Sequence, residues 1–315
     1  MQRAVGLHLG TKLATRRRLV RGPDLTENHV KYCSFSIEGR DTYGVVVGSG
    51  VVDLGKRFGD RYADLKALIA DGFPQDVAAA ASSPADYALD QVRFLPPIAS
   101  PVHIWCLALN YAEHHNEVQG AGRVQELPKS PALFARASDS LTGYGEPLLH
   151  PGVSEQFDFE GELAVVIGKP GYRISPEEAF EHIAGFTIMN EGSVRDWQFH
   201  TRQITPGKNF YRSGSIGPWI VPRREIEDVE QLRIRTTLNG QVMQDESVGS
   251  MIHKIPRFIE YVSTIAPLYP GDILATGTPS GVGFSRTPPV FMKVGDVCEV
   301  SIGGIGTLSN QVAQE

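Results

Sequence analysis

The stretch Phe157-Asp158-Phe159-Glu160-Gly161-Glu162-Leu163-Ala164-Val165-Val166-Ile167-Gly168 alternates bulky apolar and acidic residues, then runs apolar to its end. Strand side chains point to opposite faces with period two. Phe157, Phe159, Leu163, Val165 and Ile167 therefore share one face, and Asp158, Glu160, Glu162, Ala164 and Val166 the other. The pattern predicts a half-buried strand. Same-face neighbours on a strand lie ~7 Å apart, which lets Glu160 and Glu162 converge on one small object. Carboxylates that converge away from water repel, so one takes a proton or both share a cation, and a hard divalent ion meets that need. A strand with a solvated acidic face would carry the same Glu-x-Glu spacing, so the pair alone leaves both readings open.

A chain of 315 residues, 41% of them hydrophobic, can bury a large core in one domain or two unequal ones. Its net charge of −6 argues against a general nucleic-acid surface. No apolar run approaches the ~20 residues that span a bilayer. Neither nucleic acid nor membrane is an expected partner. Cys33, Cys106 and Cys298 are far apart, with no CxxC pair and no His/Cys cluster spaced for zinc, which fits a reduced, cytoplasmic protein. The start of the chain carries Arg3, Lys12, Arg16, Arg17, Arg18 and Arg21 without an acid. That resembles an organelle-targeting leader superficially, and a flexible basic arm over residues 1–29 is the expectation taken forward.

Along the chain, the residue pattern predicts strands at Tyr32 to Ile37 and Gly44 to Leu54, then a helix near Tyr62 to Ala70 ending at Gly72. These form a small accessory domain over residues 30–97, closed by an Ala/Ser/Pro-rich stretch and Phe94-Leu95-Pro96-Pro97. The remainder, 98–315, opens with an apolar strand Ile104 to Leu109 that ends in a polar cluster. Ser175-Pro176-Glu177-Glu178 has the residues of an N-cap, a first helical position and a capping box, and predicts a helix that stops at Gly185. A strand Phe186 to Met189 follows, delivering Asn190 and Glu191 at its end. Ile255 to Ile265 reads as an amphipathic helix, Pro270-Gly271-Asp272 as a turn, and Ile273 onward as a strand entering a glycine-rich loop. The whole predicts an α+β, mostly β protein, not a regular βαβ alternation.

Phosphate-loop and strand-led GxGxxG fingerprints are missing, and so is a GxSxG elbow. What is present is a dispersed set. It comprises Asn110-Tyr111-Ala112 with His114 and Glu117, Glu160-Gly161-Glu162, Asn190-Glu191-Gly192-Ser193-Val194-Arg195-Asp196-Trp197-Gln198 and Gly207-Lys208-Asn209-Phe210. Gly217-Pro218, Gly277-Thr278-Pro279-Ser280-Gly281-Val282-Gly283 and a closing Gly303-Gly304-Ile305-Gly306 with Leu308 and Asn310 complete it. In this order and at these intervals the set resembles the fumarylacetoacetate hydrolase family, over roughly Val102 to Asn310.

That resemblance implies a catalytic β-roll, a homodimer, and a divalent-metal enzyme acting on small dicarbonyl acids. It assigns the metal ligands to Glu160, Glu162 and Glu191, and the catalytic positions to His114, Glu117, Lys208 and Gln198. Tyr111, Arg136 and Thr278 become substrate-binding positions. Three acidic oxygen ligands suit Mg²⁺ or Mn²⁺, and ligand type also admits Ca²⁺. Two residues depart from the pattern. Glu191 stands where many relatives have aspartate, which keeps Asp196 as an outside ligand candidate beside its simpler reading as a salt-bridge partner of Arg195 or Arg202. Arg136 stands where relatives often have lysine, and its fork could grip a carboxylate in bidentate fashion.

Spaced by three residues in a helical turn, Glu117 can orient His114 and leave one imidazole nitrogen to accept a proton. Lys208 and Gln198 could donate to a developing oxyanion, and His115 reads as structural. The expected reaction is hydrolysis of a carbon–carbon bond in an acylpyruvate-type 2,4-diketo acid, giving pyruvate and a carboxylic acid. The alternative is decarboxylation or keto–enol isomerisation of an unsaturated oxo-dicarboxylate from aromatic catabolism. A non-catalytic metal-binding protein is the third reading. Substrate choice would rest on the loops Gln119 to Lys129 and Phe199 to Thr205.

Overall fold

In the computed structural model of the chain, residues 29–120 and 129–315 are described. Residues 1–28 of the expected basic arm and most of the loop expected at Gln119 to Lys129 lie outside them. The architecture is α+β and dominated by strands, as expected. The largest sheet runs through neighbouring strands Gly50–Asp53, Arg40–Val47, Tyr32–Ile37, Gly214–Pro222, Ile183–Asn190, Gly161–Ile167, Ile273–Ala275, Ile104–Ala108 and Ala132–Ala135. Strands on both sides of the boundary expected at residue 97 thus share one sheet, joined where Tyr32 pairs with Ile220. A second sheet is built from Gln241–Ser247, Arg233–Leu238, Val297–Ile302, Gly306–Gln314 and Leu148–His150.

Several expected elements hold. Tyr32–Ile37 is a strand, Leu65–Ala70 a helix, and Gly72 follows it with a φ of 73°. Ile255–Ile265 is a helix whose buried Ile255, Phe258, Ile259 and Val262 recur at helical spacing, with Pro256 in the first turn. Others are corrected. Gly44 to Leu54 is not one strand: the chain turns back after Val47, Gly50–Asp53 pairs with Gly44 to Val47, and Leu54 begins a short helix capped by the Asp53 carboxylate. The helix expected from Ser175 to Gly185 shrinks to one 3-10 turn at Ala179–His182. The sheet draws Ile183–Asn190 in between Gly161–Ile167 and Gly214–Pro222, and that pairing takes residues the capping signal had given to a helix.

The strand that leads to the site is also corrected. It is neither continuous nor half-buried. Phe157–Asp158 pairs with Ser193–Val194 as a separate two-stranded ribbon, and the main-sheet strand begins at Gly161. Gly161–Ile167 is buried on both faces. Leu163, Val165 and Ile167 enter a core with Phe186 and Trp219, while Ala164 and Val166 enter another with Tyr32 and Ile216. Fully burying an aliphatic side chain of this size contributes about 1.5–3 kcal/mol, so both faces hold this strand in register. Glu162, on the face of Ala164 and Val166, is thereby carried into the interior.

Candidate active site

Glu160, Glu162 and Glu191 are each buried, and each offers a carboxylate oxygen within 4.8 Å of those of the other two. Three local features bring them together. Gly161 pairs with Asn190 across the antiparallel ladder, and Glu191 N–H donates to the Glu160 carbonyl at 2.8 Å, so the end of one strand is stitched to the start of the other. A Cβ at position 161 would lie 2.1 Å from Thr236 Oγ1 and 2.9 Å from Val300, so only glycine lets the chain pass this close to the second sheet. Gly277, held at a φ of 94°, donates its N–H to Glu162 Oε2 at 2.8 Å.

The electrostatics of the cluster are unequal. Lys208 Nζ lies 2.7 Å from Glu160 Oε2 and 2.8 Å from Glu191 Oε2, and Arg195 Nη1 lies 2.6 Å from Glu160 Oε1. Burial disfavours the Glu160 charge, but Lys208, then Arg195, then His114 outweigh it and hold the carboxyl well below the usual range. Glu162 has no ion pair among the described residues. Burial first, then the charges of Glu191 and Glu160, push its carboxyl well above the ordinary carboxylate range. Burial opposes the Lys208 charge, yet Glu160 and Glu191 raise its pKa above the ordinary value. Glu191 Oε1 is buried without a hydrogen-bond partner among the described residues, with Arg136 Nη1 3.9 Å away. Three buried carboxylates, one of them with an oxygen that has no hydrogen-bond partner among the described residues and another whose pKa is raised by burial and its acidic neighbours, form an all-oxygen donor set that fits a hard divalent cation.

The expected dyad is assembled. His114 and Glu117 lie on the helix Ala112–Gly120, and His114 Nδ1 is 3.4 Å from Glu117 Oε2. Glu117 Oε1 in turn accepts the Gly281 N–H at 2.8 Å. His114 is buried, and so is His115, whose Nε2 has no hydrogen-bond partner among the described residues. Tyr111 is buried, its hydroxyl has no hydrogen-bond partner among the described residues, and it bridges to Met251 in backbone pairing.

The other expected positions are occupied in ways that residue type alone did not indicate. Lys208 faces two of the carboxylates directly. Gln198 Oε1 accepts Arg195 Nη1 at 2.9 Å, and the Gln198 backbone packs so close to Gly207 that a Cβ there would lie 2.5 Å away. Thr278 Oγ1 donates to the Gly161 carbonyl and accepts from Gln244 Nε2, so it ties the glycine-rich loop to the strand. The Arg136 guanidinium is buried and donates to Ser140, the Gly192 carbonyl and Ser213 Oγ. The expected pairing of Asp196 with Arg195 or Arg202 is corrected: Asp196 Oδ1 accepts from Ser154 Oγ at 2.6 Å, because Arg195 is turned inward to Asp158 and Glu160.

Arg195 itself, and Asp158 behind it, are the site residues that sequence reasoning missed. Arg195 is 2% exposed, stacks over Phe284 at 4.4 Å and leaves Nη2 without a hydrogen-bond partner among the described residues. The signal available was an arginine inside the Asn190 to Gln198 motif, four residues from a proposed metal ligand.

A family profile described as Fumarylacetoacetate (FAA) hydrolase C-terminal matches residues 103–313. The chain is 42% identical over 228 residues to the oxaloacetate tautomerase YisK of Bacillus subtilis, covering 72% of this chain and 75% of that one. Among solved structures, a fumarylacetoacetate hydrolase from Exiguobacterium antarcticum superposes with a TM-score of 0.79 at 34% identity, covering 91% of this chain and 100% of that one. A maleylpyruvate hydrolase from Sphingobium sp. SYK-6 gives a TM-score of 0.75 at 26% identity, over 90% and 100% of the two chains.

Proposed function

We infer, since the chain belongs to the fumarylacetoacetate hydrolase family and is an enzyme of that family, that it interconverts the keto and enol forms of a small 2-oxo dicarboxylate of the oxaloacetate type. The observation that carries this reading is the buried Glu160/Glu162/Glu191 cluster beside a dyad-held histidine, in a chain 42% identical to an oxaloacetate tautomerase. Glu160, Glu162 and Glu191 would hold Mg²⁺ or Mn²⁺, which when bound supplies Lewis acidity toward a 2-oxo acid.

The remaining steps belong to the chain's own groups. His114, oriented by Glu117, takes a proton from the carbon between the 2-oxo group and the distal carboxylate, and the C–H electron pair becomes the enol double bond. The C=O π pair moves onto the oxo oxygen, which takes up the proton that the His114 imidazolium gives back, and the reverse sequence restores the ketone. Lys208 keeps Glu160 charged and offers an ammonium close to where the oxygen becomes negative. Arg195, buried with an Nη2–H that has no hydrogen-bond partner among the described residues, donates to a substrate carboxylate, with Gln198 bracing the guanidinium.

A second reading is supported by the same dyad. Acylpyruvate hydrolysis needs an activated water, and His114 with Glu117 is the arrangement that supplies one. The homodimer and a cytoplasmic setting belong to the proposal as well. All three cysteines are free and buried, and no helix among the described residues is long and apolar enough to cross a membrane.

The test is to strip the purified protein with a chelator, restore Mg²⁺ or Mn²⁺, and follow oxaloacetate enol absorbance beside pyruvate release from a panel of acylpyruvates. Metal-restored enol decay without cleavage supports the tautomerase. Pyruvate release from acylpyruvates favours the hydrolase, and inactivity in both assays with metal bound overturns both readings.

A further inference from the structure

Asp158 shares a sequence stretch with Glu160 and Glu162, but the break after it sends its side chain elsewhere. It is fully buried. Its Oδ1 accepts the N–H groups of Gly283 and Phe159, both at 2.8 Å. Its Oδ2 accepts the Phe284 N–H at 3.0 Å and Arg195 Nε at 2.9 Å. Four donors fill the acceptor capacity of a carboxylate, so Asp158 has none left for an ion or a substrate. Whatever it does, it does through its partners.

We propose that Asp158 is a positioning residue of the acid cluster, acting through Arg195 on Glu160 and through Gly283 and Phe284 on the loop that Glu117 grips. A guanidinium is planar, so fixing the direction of its Nε–H fixes the plane in which Nη1 and Nη2 lie. With Nε on Asp158, Nη1 is delivered to Glu160 Oε1 at 2.6 Å and the same plane stacks on the Phe284 ring. The ring is itself anchored, because the Phe284 N–H is on Asp158. One carboxylate thus determines where the cation beside Glu160 sits and where the loop carrying Gly281 runs. Without it, Arg195 keeps a buried charge with Glu160 as its remaining carboxylate partner, and the orientation of Glu160 then follows the arginine instead of directing its oxygens to the cluster.

This inference rests on the reading that Glu160, Glu162 and Glu191 hold a divalent ion. It is tested by Mn²⁺ binding, followed as loss of the free-ion electron paramagnetic resonance signal, in the full chain carrying Asp158→Asn, Arg195→Lys or both. Asp158→Asn should melt below the parent protein, because it breaks a buried ion pair and turns an amide NH₂ toward N–H donors, and its Kd for Mn²⁺ should rise about 10–100-fold, the range seen when partners of metal ligands are changed. Arg195→Lys keeps the charge and loses the planar fork, and should cost a similar factor. The double variant should bind no worse than the weaker single, because both changes break one connection. An unchanged Kd in Asp158→Asn, or losses that multiply in the double variant, overturns the proposal. If Asp158→Asn does not fold, Arg195→Lys decides: an unchanged Kd overturns the proposal and a loss supports it. A parent protein that takes up no Mn²⁺ at all overturns the ion-binding reading and this one with it, a pattern distinct from failure of the variants alone.

Discussion

Glu117 accepts the Gly281 N–H through one carboxylate oxygen while the other faces His114, so the residue that orients the base also anchors the glycine-rich loop. The two duties separate by substitution. Glu117→Gln can still accept from Gly281 but loses the charge facing the imidazole; Glu117→Ala loses both. Turnover should fall in both variants, and melting temperature mainly in Glu117→Ala. His114→Ala should lose about 10²–10⁴-fold in rate, the usual worth of a positioned acid–base group. Initial rates and melting curves on the three variants check this, and near-parental turnover in His114→Ala would remove it from the mechanism.

Ion binding should release a proton and tighten as pH rises. Burial and the neighbouring Glu191 and Glu160 charges raise the Glu162 carboxyl above its unfolded value. Its contribution to ion-free stability is therefore full below the ordinary carboxylate range and is lost as pH climbs through the raised folded value. A divalent ion reverses that loss by taking the place of the proton. Calorimetry in buffers of different ionisation heat should report proton release, and the thermal upshift with Mg²⁺ or Mn²⁺ should be larger at pH 8 than at pH 6.

Lys208→Met should leave Glu160 and Glu191 without their shared ammonium. Removing one partner of a buried ion pair costs about 3–5 kcal/mol. A bound divalent ion compensates the same charges, so denaturant unfolding should show a larger stabilisation by Mn²⁺ in the variant than in the parent protein. Equal stabilisation would mean that the ammonium and the ion do not share these oxygens.

Gly161→Ala puts a methyl group against Thr236 Oγ1 and Val300. Overpacking of this kind costs about 1–3 kcal/mol, and here the displaced backbone carries Glu160 and Glu162. Loss of Mn²⁺ affinity alongside a lower melting temperature is the expected result; a lower melting temperature with parental affinity would separate the glycine from the acid cluster.

Local signals were the legible ones. The apolar spacing of Ile255 to Ile265 predicts its helix because one face of that segment decides its own packing. The Glu-x-Glu spacing brings Glu160 and Glu162 together because period two holds nearly to the end of the strand. What was not legible depends on distant partners. The break after Asp158 follows from Gly161 running under Thr236 and from Gly283 and Phe284 claiming the Asp158 carboxylate. At Ser175 the hydroxyl donates to the Glu178 carboxylate at 3.0 Å, a side-chain bond and not a capping box, and the segment forms a turn and not a helix because the sheet takes Ile183 to Asn190. Arg195 could be assigned to Asp196 by proximity in sequence, and the fold assigns it to Asp158.

The loop from Gly277 to Phe284 meets Glu162 at its first residue, Glu117 at Gly281 and Asp158 at its last two hydrogen-bonding positions. In a machine whose parts are gauged one from another along a chain, small errors accumulate with each added part. Here three acids from three different elements are gauged against one short backbone segment, so the spacing between Glu117, which orients the base, and the ion ligand Glu162 inherits the tolerance of that segment.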